Sequence, residues 1–128
     1  MKIALIAHDG KKADMVAFVM KRLHFFKNPG VNIVATRSTG QRIVYSGVVD
    51  VQMVHSGPEG GDAEIAAMVA RGEIDAVVFF RDPLDKHPHE PDVQMLMRVC
   101  DVHEVPLATN YSTAKILIDH FIDKSSKI

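Results

Sequence analysis

The 128-residue chain is 47% hydrophobic and 24% charged, a composition that supports one compact domain with a real core and leaves no length for a second. Its formal net charge is -1, with no basic face and no block of like charge, which argues against a nucleic-acid or membrane surface and restricts any anionic partner to a small one. A single cysteine, Cys100, excludes an intrachain disulfide, and the only apolar run near the N-terminus is too short for a signal-peptide core or a membrane span, so a cytoplasmic location is expected.

That run, Ile3-Ala4-Leu5-Ile6-Ala7, is apolar throughout, as a strand covered on both faces should be, and ends at His8-Asp9-Gly10. Val16, Val19, Met20, Leu23 and Phe26 follow at helical spacing and predict a core-facing helix stopped by Asn28-Pro29-Gly30. A second strand runs from Val31 to Ala35, ends in the loop Thr36-Arg37-Ser38-Thr39-Gly40, and gives way to a short helical piece through Ile43 and Val44 closed by Gly47. Val51 to Val54 is the third strand. It leads into Ser56-Gly57-Pro58-Glu59-Gly60-Gly61-Asp62 and a helix carrying Ile65, Ala66 and Val69 that ends near Gly72.

Ala76 to Phe80 is the fourth strand. The loop from Arg81 to Asp92 holds three prolines, which bar regular structure and stiffen it. Asp92 is placed to cap a helix carrying Val93, Leu96, Met97 and a buried Cys100. Pro106 to Thr109 forms the fifth strand, and a last helix buries Ala114, Leu117, Ile118 and Phe121. Residues 1–122 thus form the domain, and 123–128 a short polar C-terminal tail.

Strands alternating with helices imply right-handed crossovers and a three-layer αβα sandwich around a five-stranded parallel sheet, a Rossmann-like α/β fold. In such folds ligands bind beyond the C-terminal ends of the strands. Every polar cluster of this chain falls on that edge: His8, Asp9 and Lys12, then Thr36 to Thr39, Ser56 to Asp62, Asp82 to Asp92, and Asn110.

Two sets of side chains meet there. The hydroxyls of Thr36, Ser38, Thr39 and Ser56, the open backbone of Gly40 and Gly57, and the Lys12 charge describe a phosphate cradle that lacks the P-loop pattern. Ordinary helix capping by these Ser and Thr residues is the alternative for each of them taken singly. The second set is Asp9, Asp62, Asp82 and Asp92 with His8 and His89. Crowded carboxylates raise one another's pKa, as proton-transfer catalysts require, and a neutral imidazole can polarise a carbonyl while an aspartate removes the adjacent proton. For Asp62 the plain alternative is a helix cap, and for His87 and His89 it is solvent exposure in a polar loop. A further reading takes His87 and His89 with Asp85 and Asp92 as metal ligands, but the rigid Pro88 and the lack of a third nearby histidine or a cysteine weaken it.

Ala7-His8-Asp9, Ser56-Gly57-Pro58 with Gly60-Gly61-Asp62, Phe79-Phe80-Arg81-Asp82-Pro83-Leu84, Pro88-His89-Glu90-Pro91-Asp92-Val93 and Ala108-Thr109-Asn110 together closely resemble the methylglyoxal synthase family, in order and over nearly the whole chain. The resemblance implies a lyase that converts dihydroxyacetone phosphate to methylglyoxal and inorganic phosphate, without metal or organic cofactor, in a homohexamer inhibited by phosphate. It implies Asp62 as the base, His89 as the donor to the carbonyl oxygen, Asp9, Asp82 and Asp92 as acids holding the constellation, and His8 as a substrate contact. Lys12, Thr36, Arg37, Ser38, Thr39, Ser56 and Gly57 fall at its phosphate-binding positions. The chain departs from the family at Arg37 and Ser38, where glycine and threonine are usual, and its tail is short. A ligand-binding regulatory domain of the same fold, or a metal-dependent phosphatase, are the rival functions.

Overall fold

The structure, a computed structural model, describes residues 1–47 and 50–126. Five strands, β1 (Lys2–Ala7), β2 (Asn32–Thr36), β3 (Val51–Val54), β4 (Ala76–Phe80) and β5 (Leu107–Ala108), form one sheet in the order β3-β2-β1-β4-β5. All four pairings are parallel, with Ile3 opposite Ile33 on one side and Ala76 on the other. The helices are α1 (Lys12–Met20), α2 (Leu23–Phe26), α3 (Arg37–Tyr45), α4 (Gly61–Ala70), α5 (Glu90–Val102) and α6 (Tyr111–Ser126).

The period-2 alternation of β1 divides the interior into two cores. Ile3, Leu5 and Ala7 pack on one face with Met15 and Phe18 of α1, Phe26 of α2, Ile43 of α3 and Ile118 of α6. Ala4 and Ile6 pack on the other with Ile65 and Val69 of α4 and Val93, Leu96 and Cys100 of α5. The expected three-layer sandwich is therefore the observed one, with β1 buried at its centre. Burial also pushes the Cys100 thiol up to about 11, so it acts as a small hydrophobe.

Besides strand bounds, with β5 reduced to Leu107–Ala108 of the expected Pro106 to Thr109 and β2 shifted one residue to Asn32–Thr36, local assignments differ in four places. The helix expected through Phe26 breaks at Lys21-Arg22 into α1 and α2, and the break rotates the buried face to Met15, Phe18 and Val19, leaving Met20 exposed. Arg22 covers the outer side of that core, its guanidinium 4.3 Å from the centre of the Phe18 ring. Thr36 closes β2 and caps α3 by position, so Arg37, Ser38 and Thr39 form a first helical turn rather than a loop. His89, not Asp92, stands at the N-cap of α5, with Pro91 and Asp92 in its first turn, where a missing N–H and a carboxylate are both favourable. Finally, α6 continues through Ser126, so the tail expected from residue 123 is helical to that point; Lys127 and Ile128 lie outside the described residues.

Sheet order positions the site. The chain steps outward from β1 to β2 and β3, then returns to pair β4 on the opposite side of β1. This reversal makes β1 and β4 the switch point, where strand ends leave a crevice.

Candidate active site

His8 follows β1 directly, and its N–H donates to the Phe80 carbonyl at 3.1 Å, extending the β1–β4 pairing by one residue. This brings the loops after the two strands together. The Asp82 backbone N–H donates to His8 Nδ1 at 2.9 Å. A ring nitrogen that accepts is unprotonated, so the neutral ring carries its proton on Nε2, an atom that is buried and has no protein partner. Burial first, and then the positive fields of His87, His89 and Arg81, lower the His8 pKa to about 4 against a smaller opposing effect of Glu90. His8 is thus a neutral donor at physiological pH.

Asp62 arises from the glycine turn. Residues Gly57–Glu59 make one 3-10 turn, and Gly60 then adopts φ 102°, a left-handed conformation that redirects the chain into α4. Gly61 follows because any Cβ there would collide with the His55 carbonyl. The cap position belongs to Gly60, and Asp62, for which a cap was the plain alternative, is the second residue of α4, inside its first turn. Its side chain is fully buried and neither carboxylate oxygen has a protein hydrogen-bond partner. Burial raises its pKa from 3.8 to about 6, with Asp92 adding to the rise and His89 and His87 opposing it.

The stiff loop after β4 delivers His89 opposite this carboxylate, with Nε2 3.4 Å from Asp62 Oδ2. That His89 side chain is only 9% exposed, and its Nδ1 is buried without a partner. Gly57 is the spacer of the pair. A Cβ on it would stand 2.8 Å from His89 Nε2 and 3.3 Å from Asp62 Oδ2. His89 and Asp62 therefore share a cleft of about 240 Å³.

The cleft also carries groups that could hold an anion. Lys12, Thr36 and Ser38 line it, and the N-terminal turn of α3 supplies unpaired backbone N–H groups. Lys12 is 7% exposed yet keeps its charge near the surface through an ion pair with the exposed Asp9 carboxylate, whose pKa that partner holds below the ordinary range. Thr39 does something different. Its hydroxyl accepts from the Ala7 N–H at 3.2 Å and from Thr36 Oγ1 at 3.1 Å, tying α3 to the end of β1.

Of the remaining expected residues, Asp82 contacts His8 through its backbone, while its carboxylate accepts from the Leu84 N–H in its own loop. Asp92 acts on Asp62 through its field. The Arg37 side chain is exposed. Ser56 holds the 3-10 turn, its carbonyl accepting from Glu59 and Gly61. Among the described residues, no group of three or more His, Cys, Asp and Glu side chains is arranged to hold a metal ion.

The residue missing from the expected site residues is His87, which the sequence offered only as solvent-exposed or as one of several metal ligands. It lines the cleft, and its ring stacks on His8 with centroids 3.6 Å apart and planes 20° from parallel. The signal was present in His87-Pro88-His89: a proline between two histidines holds both on one rigid turn, so neither is free to swing into solvent.

The family model for the MGS-like domain matches residues 16–109. The methylglyoxal synthase of Exiguobacterium sibiricum is 56% identical over 120 residues, covering 93% of this chain and 81% of its own. That of Carboxydothermus hydrogenoformans is 52% identical over 118 residues, covering 92% and 96%. Among solved structures, methylglyoxal synthase from Elizabethkingia anophelis superposes with a TM-score of 0.81 at 42% identity, covering 91% of this chain and 75% of the other.

Proposed function

The chain belongs to the methylglyoxal synthase family, and on that premise we propose that it converts dihydroxyacetone phosphate to methylglyoxal and inorganic phosphate by the acid–base pair of this cleft. The observation that carries the assignment is Asp62: a buried carboxylate with no protein hydrogen bond, facing His89 across a glycine, beside an anion-binding end.

Asp62 takes a proton from the hydroxyl-bearing carbon, and His89 donates to the carbonyl oxygen as the enediol forms. The bond from the far carbon to the phosphate oxygen then breaks, its electron pair leaving with phosphate, and the enol left behind becomes methylglyoxal. Elimination requires that C–O bond to stand out of the enediol plane, where it overlaps the π system. Lys12, Thr36, Ser38 and the start of α3 would hold the phosphate in that orientation, and His8 would donate from Nε2 to a substrate oxygen. The reaction needs no electron carrier, because reduction of the carbon that loses phosphate balances oxidation of the hydroxyl-bearing carbon on the other side of the carbonyl.

Assembly as a homohexamer, inhibition by inorganic phosphate and a cytoplasmic location belong to the same proposal. Among the described residues no helix is long and apolar enough to cross a membrane. The test is incubation of chelator-treated protein with dihydroxyacetone phosphate, with methylglyoxal and phosphate released in equal amounts as the expected result. Phosphate binding without turnover would instead support a regulatory ligand-binding domain.

A further inference from the structure

We propose that His87 is a positioning residue whose ring, lying flat on His8, holds the His8 imidazole with its Nε2–H aimed into the cleft as a hydrogen-bond donor. The inference rests on the reaction proposed above for its catalytic consequence, but the contact itself stands on geometry alone.

His8 is restrained on three sides. His87 covers one face at 3.6 Å between centroids, Phe79 meets the ring edge-on at 5.0 Å and 74°, and the Asp82 N–H occupies Nδ1. Only Nε2 remains, buried and without a protein partner. Rotation of the ring would break the 2.9 Å hydrogen bond, and so would a proton on Nδ1, because an imidazolium cannot accept there. His87 opposes both changes: its ring fills the space rotation needs, and its field disfavours a proton on His8. Of the other groups whose fields reach His8, His89 and Arg81 act against protonation and Glu90 in its favour, and the Asp9 carboxylate interacts with it as well. Pro88 fixes His87 itself. With Nε2 buried and unpartnered at the cleft wall, His87 is not merely surface packing.

The experiment is 15N-detected histidine spectroscopy of wild type, His87→Ala and His87→Phe, with steady-state kinetics on the same proteins. In wild type, His8 is expected as the uncharged Nε2–H tautomer down to about pH 5. In His87→Ala the single tautomer is lost, His8 titrates at higher pH, and kcat falls about tenfold with KM changed less than about threefold. His87→Phe keeps a flat ring and restores both the tautomer and most of kcat. An Nδ1–H tautomer in wild type, an unchanged His8 signal in His87→Ala, or a phenylalanine variant as poor as the alanine one would each overturn the proposal. If His87→Ala does not fold, His87→Phe and the wild-type spectrum still put the proposal at risk. Because spectroscopy needs no turnover, a failure of the proposed reaction shows separately, as wild-type protein that makes no methylglyoxal.

Discussion

Asp62 Oδ2 lies 3.4 Å from His89 Nε2, and neither oxygen of that fully buried carboxylate is hydrogen-bonded by the protein. A structural aspartate in such a place would have acquired partners, since an unpaired buried charge costs several kcal/mol. Asp62→Asn keeps the shape and removes the base. Turnover is expected to fall a hundredfold or more while phosphate still binds, measured by product release and by calorimetric titration with inorganic phosphate.

The same substitution should stabilise the fold. Asp62 has its pKa raised from 3.8 to about 6, so in that interval the folded state binds more protons than the unfolded state and stability falls as pH rises. The loss is complete above about pH 6 and amounts to about 3 kcal/mol. Asp62→Asn escapes it. Its Tm should exceed that of wild type at pH 8 and converge with it near pH 4, and equal pH dependence of the two curves would contradict the buried-charge account.

Activity has a matching acid limb. kcat/KM should drop tenfold per pH unit below about 6, where Asp62 becomes protonated and can no longer accept a proton. His8, lowered to about 4 by burial and its cationic neighbours, contributes nothing to this limb. A pH–rate profile of the free enzyme measures it directly.

Two glycines in one turn have opposite jobs. Gly57→Ala puts a methyl 2.8 Å from His89 Nε2, which can yield by turning away, so kcat should fall about tenfold or more with stability nearly intact. Gly61→Ala drives its methyl into backbone at His55 and should destabilise by about 3 kcal/mol or more. Denaturant melts and kinetics on both variants separate the roles.

Lys12→Ala should raise KM at least about tenfold and weaken phosphate inhibition alike, since both anions use the same charge. Asp9 is the control: its carboxylate is exposed and competes for that ammonium, so Asp9→Asn leaves phosphate binding unimpaired. Titration of both variants with phosphate checks the pair.

The parallel sheet, its layers and the edge that gathers the polar clusters were legible because β1 and β4 carry apolar runs and the polar clusters all follow strand ends, whereas the strand order was not. That Asp62 and His89 meet at this edge was legible for the same reason, since both lie in segments that follow strand ends. Met20 was misjudged because apolar spacing cannot register the break at Lys21-Arg22, which rotates the next turn. Thr36 to Thr39 looked like a loop because Ser, Thr and Gly favour both turns and first helical turns. His87 was lost for a different reason. A stacking partner 79 positions away leaves no periodicity to read, only the stiffness of the proline beside it.

The return of β4 to the far side of β1 also sets a schedule for synthesis. From the moment β1 leaves the ribosome until residues 76–80 emerge, one edge of the central strand of the sheet has no neighbour to pair with. That edge is the nascent chain's most exposed template for association with other copies, and its protection coincides with the arrival of the loop that carries His87 and His89. The segment that ends the hazard is thus the one that completes the catalytic cleft.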